Sequence, residues 1–314
     1  MPIMQVNHLN KTFSSGFWPL SKKQTFVAVN NISFSMEHGE ILGFLGTNGA
    51  GKTTTIQMLL GLLTPTSGTI SYFGQDFRKK SIHILKRVTY ASGYDKLPAR
   101  LSVWENLDII GRIYSMPHGQ RIARIESLLK FFDMWEMRNK PTGMLSAGQA
   151  TRITLAKAFL PAPTIVLLDE PTAALDPESA NEVREFVLRQ KREHGVSILF
   201  TSHNMSEVTH VCDRVLVLKQ GTIIANNTPE QLARSVSLAR VHLIIESGLN
   251  ALVTYLDSSG LSYKLNEHHN IKIEIGEHAI AQLLMDMAQM KIAYSTISID
   301  KPTLEDYFLS ISKK

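Results

Sequence analysis

A short apolar run, a glycine-rich loop and a helix-forming segment follow one another between residues 40 and 65, and this order constrains the fold most strongly. Residues 40–45 (EILGFL) are typical of a buried strand. The next eight residues, 46–53 (GTNGAGKT), have the form G-x-x-x-x-G-K-[ST]. We predict a helix over 52–63, because its apolar residues share one face and Pro65 blocks its continuation.

A loop of this form surrounds a phosphate group with backbone N–H groups, and the N-terminus of the following helix faces the same anion. Lys52 is expected to contact the β- and γ-phosphates, and the Thr53 hydroxyl to bind Mg²⁺. A glycine-rich surface turn is the alternative, and the flanking strand and helix argue against it. The predicted nucleotide-binding residues here are Gly46, Thr47, Asn48, Gly49, Ala50, Gly51, Lys52, Thr53 and Thr54.

Two adjacent acids end a second apolar run. Residues 164–168 (TIVLL) suit the centre of a parallel sheet, and Asp169 and Glu170 follow directly. Ligands of open α/β sheets bind beyond the carboxyl ends of the strands. We therefore expect Asp169 to hold Mg²⁺, commonly through a water molecule, and Glu170 to accept a proton from the attacking water. The alternative is that both acids only cap the next segment.

A helix start and a third strand follow. Asp176 can cap a helix that has Pro177 at its first position. Residues 196–200 (VSILF) form another apolar run, with His203 just beyond its end. A lone histidine is usually a surface or core residue. Its position after a buried strand, downstream of the two acids, favours contact with the γ-phosphate instead.

Five motifs in this order resemble the ATP-binding subunits of ABC transporters. They are the phosphate loop, LSAGQ (145–149), LLDE (167–170), AALD (173–176) and TSH (201–203). The resemblance covers roughly residues 1–228. It implies that the chain binds and hydrolyses ATP with Mg²⁺, with Lys52, Glu170 and His203 as catalytic residues.

The resemblance also implies a site shared between two subunits. Phe13 matches the aromatic residue that stacks on adenine. Ser146 and Gly148, with Gln149 beside them, match residues at the γ-phosphate of ATP held by the opposite subunit. Asp176 matches a loop that crosses the dimer interface. A second ATPase subunit, plausibly an identical chain, and an integral membrane permease subunit are the implied partners.

The expected fold class is α/β. The resemblance implies a P-loop ABC ATPase cassette at 1–228, with a mostly parallel core sheet, an antiparallel β subdomain and a helical subdomain at about 94–160. Residues 229–314 form a predicted small α+β accessory domain. Its strands at 241–246, 271–275 and 294–299 and its helices at 251–256 and 280–290 suggest a β-α-β-β-α-β order.

The closing residues 301–309 (KPTLEDYFL) look like the ending of ATPases that serve ABC-2-type exporters, so an exporter is favoured. Dimer support or regulation is the role expected for the C-terminal domain. His268 and His269 have no convincing third ligand nearby and are interpreted as surface residues. Residues 14–26 lengthen the first hairpin with Phe17, Trp18 and two lysines; a self-packed tip and a membrane or partner contact are both open.

One departure from the family pattern concerns a glutamine that contacts Mg²⁺ or the attacking water. Its expected position falls near Gly93, in the segment RVTYASGY (87–94), and no glutamine stands there. Ser92 could supply an oxygen ligand, whereas Gly93 has no side chain. We predict slower or differently coupled hydrolysis rather than its loss.

Composition narrows the setting. The 314 residues are 44% hydrophobic and 19% charged, with room for about two domains. No apolar run approaches the roughly 18 residues that cross a bilayer, and the N-terminus does not resemble a secretory signal. Cys212, the single cysteine, fits a reducing compartment. With the resemblance, these features predict a cytoplasmic protein, peripheral on the cytoplasmic face of the membrane.

Two other functions stay open at this point. The net charge of +5 permits a soluble ABC ATPase that acts on nucleic acid or ribosomes. A single cassette without a long heptad insertion or a lysine-rich tail argues against it, so no nucleic-acid partner is expected. A nucleotide-gated regulator that hardly hydrolyses ATP is the third possibility.

Overall fold

The computed structural model describes residues 1–15, 24–93, 95–173, 175–235, 239–266 and 269–312. The chain divides into two compact units, Met1–Thr228 and Pro229–Lys314. Most of the hairpin tip, including Phe17, Trp18, Lys22 and Lys23, lies outside the described residues, and so does His268.

The first unit alternates strands and helices. Its described strands are β1 (Met4–Ser15), β2 (Gln24–Met36), β3 (Ile41–Gly46), β4 (Ser67–Tyr72), β5 (Gln75–Asp76), β6 (Val88–Ser92), β7 (Ile165–Asp169), β8 (Ser197–Thr201), β9 (Arg214–Lys219) and β10 (Thr222–Asn227). Its described helices are α1 (Lys52–Leu59), α2 (Phe77–Leu85), α3 (Val103–Ile113), α4 (His118–Phe131), α5 (Ala147–Phe159), α6 (Pro177–His194) and α7 (Met205–Val211).

A six-stranded sheet forms the centre of this unit, in the order β10-β9-β3-β8-β7-β6. Its pairs are parallel except for the hairpin of β9 and β10. Every residue of β3, β7 and β8 is buried, as expected for strands covered on both faces. The three strands predicted from apolar runs are confirmed, each displaced by one residue. The fold class is the predicted α/β arrangement.

The helix after the phosphate loop is shorter than predicted. It ends at Leu59 rather than residue 63, because Leu60 caps it and Gly61 turns the chain with φ of 72°. The amides of Leu62 and Leu63 then bond to the carbonyl of Gln57. The buried hydroxyl of Tyr72 donates to the Leu59 carbonyl at 2.9 Å, which closes the last turn against β4.

An antiparallel sheet in the order β2-β1-β4-β5 forms a second layer of this unit. The hairpin of β1 and β2 contains three register shifts between Val6 and Thr12. After these shifts Phe13 lies directly opposite Phe26, so both side chains are on one face of the hairpin.

The described residues between β6 and β7 contain the three α-helices α3, α4 and α5, inside the segment predicted to be a helical subdomain. Capping boxes begin two of them: Ser102 and Glu105 start α3, and Ser146 and Gln149 start α5. None of the helices in the described residues combines the length and apolar character needed to cross a bilayer.

The second unit is a four-stranded antiparallel sheet with helices. Its order β12-β13-β11-β14 and chain sequence give the predicted β-α-β-β-α-β arrangement. Buried Val241, Leu243, Ile273, Leu252 and Leu283 lie at its core. Its described elements are α8 (Pro229–Arg234), β11 (Ala239–Ser247), α9 (Leu249–Ser259), β12 (Ser262–Leu265), β13 (Asn270–Ile275), α10 (Ile280–Gln289), β14 (Ala293–Asp300) and α11 (Leu304–Ser312).

One carboxylate connects the C-terminal helix α11 to this sheet. Asp306 accepts hydrogen bonds from the backbone N–H and hydroxyl of Thr303 at 2.9 and 2.8 Å, and it pairs with the Arg240 guanidinium of β11. Neither α11 nor the short strand β12 was assigned from the sequence.

Candidate nucleotide-binding site

A cleft of about 770 Å³ opens at the carboxyl ends of β3, β6, β7 and β8. This is where the parallel strands of α/β sheets present their ligand-binding loops. The cleft brings together the phosphate loop, the two acids after β7 and the histidine after β8. Its lining residues are Phe26, Ala28, Thr47, Asn48, Gly49, Ala50, Gly51, Lys52, Thr53, Thr54, Tyr90, Ser92, Asp169, Glu170 and His203.

The phosphate loop has the conformation that its glycines permit. Gly49 and Gly51 have φ of 80° and 101°, and a Cβ on Gly51 would lie 2.6 Å from the Ala28 carbonyl. Lys52 folds over the loop, where its Nζ donates to the carbonyls of Gly46 at 2.5 Å and Thr47 at 3.3 Å. Burial lowers the pKa of Lys52, and the negative charges of Glu170 and Asp169 oppose that shift. A cation is thus placed where phosphate oxygens would enter.

Asp169 is buried at the end of β7 and is held in one orientation. The Thr201 hydroxyl donates to its Oδ1 at 2.6 Å, and the same hydroxyl accepts from the backbone N–H of Glu170 at 3.0 Å. Thr53, on the first turn of α1, also lines the cleft and carries a hydroxyl. A carboxylate and a hydroxyl fit Mg²⁺, which binds few protein ligands and fills its other positions with water and phosphate. The described ranges contain no group of three or more His, Cys, Asp or Glu side chains that could hold a metal alone.

Glu170 and His203 form a direct pair. Oε2 of Glu170 lies 2.6 Å from Nδ1 of His203 and accepts from the backbone N–H of His203 at 3.3 Å. The backbone of Glu170 has φ of 51°, an uncommon conformation for a residue with a side chain. The Glu170 N–H donates to both the carbonyl and the hydroxyl of Thr201, which holds the backbone there. A carboxylate so fixed at the cleft can accept a proton from a water molecule beside a bound phosphate.

Comparisons with known proteins extend these observations beyond the cleft. Residues 29–173 match the family described as ABC transporter. The ATP-binding protein NatA of Bacillus subtilis is 38% identical over 73% of this chain and 93% of its own length. The Nod factor export ATP-binding protein I of Burkholderia lata is 39% identical, over 67% and 68%. The linearmycin resistance ATP-binding protein LnrL of Bacillus subtilis is 31% identical, over 90% and 93%.

The chain belongs to the family of ABC transporter ATP-binding proteins. A solved structure agrees: cbiO1 of Clostridium perfringens, part of the ABC transporter complex cbiONQ, superposes with a TM-score of 0.63. It is 28% identical, with 74% of this chain and 90% of that chain covered. The chain is therefore an ABC ATPase, as the order of its motifs predicted.

The hairpin presents a different aromatic residue to the cleft of this ABC ATPase than the one selected from the sequence. Phe26 and Ala28 of β2 line the cleft, whereas Phe13 is absent from the lining. Phe13 lies opposite Phe26 on β1, with the Lys11 ammonium 5.0 Å from its ring centroid. Phe26 was not predicted because its pairing with Phe13 depends on the register of the hairpin. That register cannot be read from the residues between them.

Gly93 has no space for a side chain in this ABC ATPase. Its N–H donates to the Asp169 carbonyl at 3.1 Å, and a Cβ would lie 2.3 Å from the carbonyl oxygen of Glu170. A glutamine at this position would therefore collide with the backbone of the residue expected to be the base. Tyr90 and Ser92, three and one residues earlier on β6, do line the cleft. Tyr90 was missed by the sequence analysis; mainly burial raises its pKa to about 12.

Gly46, the last residue of β3, is outside the lining but accepts from Lys52, whereas the predicted residues of LSAGQ and Asp176 form a separate group outside the lining. Ser146 caps α5, and its Oγ accepts from the Gln149 N–H at 3.3 Å. Asp176 caps α6, and hydrogen bonds from Ser179 lower its pKa. An added Cβ on Gly148 would contact Leu175 at 3.6 Å and Ser179 at 4.0 Å, which places LSAGQ beside the loop of Asp176. A single chain of this ABC ATPase thus holds two separate groups of candidate residues.

Proposed function

We propose that this chain is the ATP-hydrolysing subunit of an exporter and that its ATP is clamped between two subunits. The observation that carries the proposal is the separation of the two groups of residues. The cleft holds the phosphate loop, Asp169, Glu170 and His203, while Ser146 and Gly148 lie outside its lining in the described residues. A second subunit, oriented head to tail, would supply them.

Each residue of the cleft receives a role in this proposal. Lys52 and the loop amides bind the β- and γ-phosphates, and Phe26 or Phe13 stacks on adenine. Thr53 and Asp169 hold Mg²⁺, which neutralises phosphate charge when bound. Glu170 accepts the proton of the attacking water, and His203 orients Glu170 and contacts the γ-phosphate.

The second subunit would complete the positive side of the site. Ser146 begins α5, and a helix N-terminus favours a nearby anion. Presented in trans, it would stabilise charge on the γ-phosphate without an arginine. ATP would join the subunits, and hydrolysis would release them. We infer an identical second chain, because one chain carries both groups of residues.

The names of the relatives and the match in the C-terminal unit support coupling to a membrane permease and outward transport. A relative 39% identical is named for Nod factor export. LnrL matches 90% of this chain, so the match continues into the C-terminal unit. We propose that this unit supports or regulates the dimer, that the protein is peripheral on the cytoplasmic face, and that nucleic acid is not its partner.

Replacement of Glu170 by glutamine tests the clamp. The E170Q variant should hydrolyse ATP roughly 10²–10⁴-fold more slowly, since it lacks the base. With ATP and Mg²⁺ it should run as a dimer in size-exclusion chromatography with light scattering, and as a monomer with ADP. A variant that stays monomeric with ATP would contradict the clamp. An unchanged rate of ATP hydrolysis in E170Q would show that Glu170 is not the base. It would favour a nucleotide-gated regulator that hardly hydrolyses ATP.

A pull-down tests the partner. An affinity-tagged chain expressed in its native cells and extracted in mild detergent should co-purify with an integral membrane protein. Co-purification with ribosomes or nucleic acid that 0.5 M salt removes would instead favour the basic, nucleic-acid-directed alternative.

A further inference from the structure

Glu207 is a buried carboxylate on α7 that the proposed hydrolytic chemistry does not use. Its relative exposure is 3%, although ionised side chains are almost never buried without partners. Its Oε2 accepts from the Thr172 hydroxyl at 2.7 Å and from the Ser202 hydroxyl at 2.9 Å. Its Oε1 accepts from Nη1 of Arg184 at 3.3 Å. This set of contacts is termed the Glu207 cluster.

The donors of the Glu207 cluster come from three separate elements. Thr172 lies two residues after Glu170, and Ser202 directly precedes His203. Arg184 lies on α6, the helix that Asp176 caps. One carboxylate therefore joins the segment after β7, the segment after β8 and the helix that follows loop 171–176.

The Glu207 cluster joins the same two segments as the pair formed by Glu170 and His203. That pair connects the two segments at the cleft, through the 2.6 Å contact between their side chains. Glu207 connects the same segments a second time, two residues past Glu170 and one before His203. A shift of either segment would therefore change both connections.

The segment that carries Thr172 and Leu175 borders a pocket that is open to solvent. The pocket has a volume of about 290 Å³ and is lined by Thr172, Leu175, Arg184, Ser202 and Glu207 among others. The hydrogen bonds of the Glu207 cluster join Thr172 to the segment of His203 beside this pocket.

We propose that Glu207 is a positioning residue for ATP hydrolysis. It holds Thr172 and the segment of His203 in one arrangement, so that contact of a second subunit at Asp176 sets the geometry of Glu170 and His203. The proposal rests on the shared site proposed above. Small errors in placement of catalytic groups lower the rate strongly, whereas they leave nucleotide binding to the phosphate loop intact.

Two nearly isosteric substitutions sever the links without removing the buried charge. T172V and S202A each delete one hydroxyl donor and leave Glu207 with its other partners. We expect each to lower kcat roughly tenfold, with KM for ATP within about twofold of the wild-type value. The double variant should be no slower than the slower single variant, because either break severs the same link.

Matched controls separate positioning from stability. Thr209 lies on the exposed side of the same helix, so T209A should keep the wild-type kcat. Thermal unfolding of all variants, measured by circular dichroism, reports any loss of stability. E207Q keeps one oxygen that can accept from the hydroxyls, so its kcat should exceed that of E207A. If E207A does not fold, T172V and S202A still test the proposal.

Wild-type kcat in both T172V and S202A would overturn the proposal. So would losses of kcat that multiply in the double variant and follow a fall in Tm, since these indicate independent structural roles. A wild-type chain without ATPase activity would instead count against the proposed function.

Discussion

Oε2 of Glu170 lies 2.6 Å from Nδ1 of His203, and the two residues follow adjacent strands of the central sheet, β7 and β8. The carboxylate is 15% exposed, while the imidazole is 69% exposed at the mouth of the cleft. The contact fixes the orientation of the carboxylate, and the imidazole edge that does not face Glu170 remains available to a bound phosphate. The position of Glu170 thus depends on His203.

Loss of the His203 side chain should therefore slow hydrolysis more than binding. H203A is expected to lower kcat roughly 10²-fold, within the range for a displaced base, and to leave KM for ATP within a few-fold. Steady-state ATPase assays measure both constants. His210 is an exposed histidine on α7, and H210A is the control. Equal kcat for H203A and the wild type would show that the contact is not functional.

Gly93 should not tolerate a side chain. An alanine Cβ would lie 2.3 Å from the Glu170 carbonyl, so the backbone of Glu170 has to move. We expect G93A to lower kcat at least about tenfold. G93Q restores the family's glutamine, but its kcat should be no higher than that of G93A. G119A is a suitable control, because an added Cβ there has no neighbour within 4 Å. An active G93Q variant would mean that the segment can rearrange around the new side chain.

The hairpin offers two aromatic residues for adenine, and the structure favours Phe26. Removal of a stacked aromatic side chain costs about 1–3 kcal/mol, which corresponds to roughly 5- to 150-fold in affinity. F26A should weaken the binding of ATP by that amount, while F13A should weaken it less, because Phe13 does not line the cleft. Titration with a fluorescent ATP analogue compares them. A larger effect of F13A would restore the assignment made from the sequence.

The attachment of α11 should depend on pH. Burial alone would raise the pKa of Asp306, but hydrogen bonds from Thr303 and Arg240 outweigh it and hold the pKa below the ordinary 3.8. A carboxylate whose pKa is lower in the folded state stabilises it above pH 3.8 and loses this contribution as pH falls through the folded-state pKa. D306N should therefore increase hydrogen exchange of residues 304–312 about tenfold at pH 7. The difference should shrink as pH falls below about 4, and equal exchange at pH 7 would contradict it.

Apolar runs that end in polar residues were sufficient to predict three strands of the central sheet, β3, β7 and β8. The strand that ends at Asp169 and the strand that precedes His203 were found in this way within one residue of their ends. The convergence of both residues with Lys52 follows from the rule that parallel strands bind ligands at their carboxyl ends.

Features set by tertiary contact could not be predicted. Phe26 was missed because three register shifts and a long insertion separate its pairing with Phe13 from any local pattern. Gly93 was interpreted as a missing ligand, whereas its contact with the Glu170 carbonyl needs the position of a neighbouring strand. The end of α1 at Leu59 depends on Gly61 and on the hydroxyl of Tyr72, which is distant in sequence.

The central claim, an ATP site shared between two chains, is tested most directly by mixing two inactive variants. K52A disables the phosphate loop, and S146R disables the LSAGQ end of α5. A head-to-tail heterodimer of the two contains one intact site, because an intact loop of one chain meets an intact Ser146 of the other. If the site is shared, each variant alone should be inactive. In an equimolar mixture half of the dimers are mixed and each of these has one working site, so the mixture should regain about a quarter of wild-type activity. A mixture as inactive as its components, although the two chains form dimers, would contradict it.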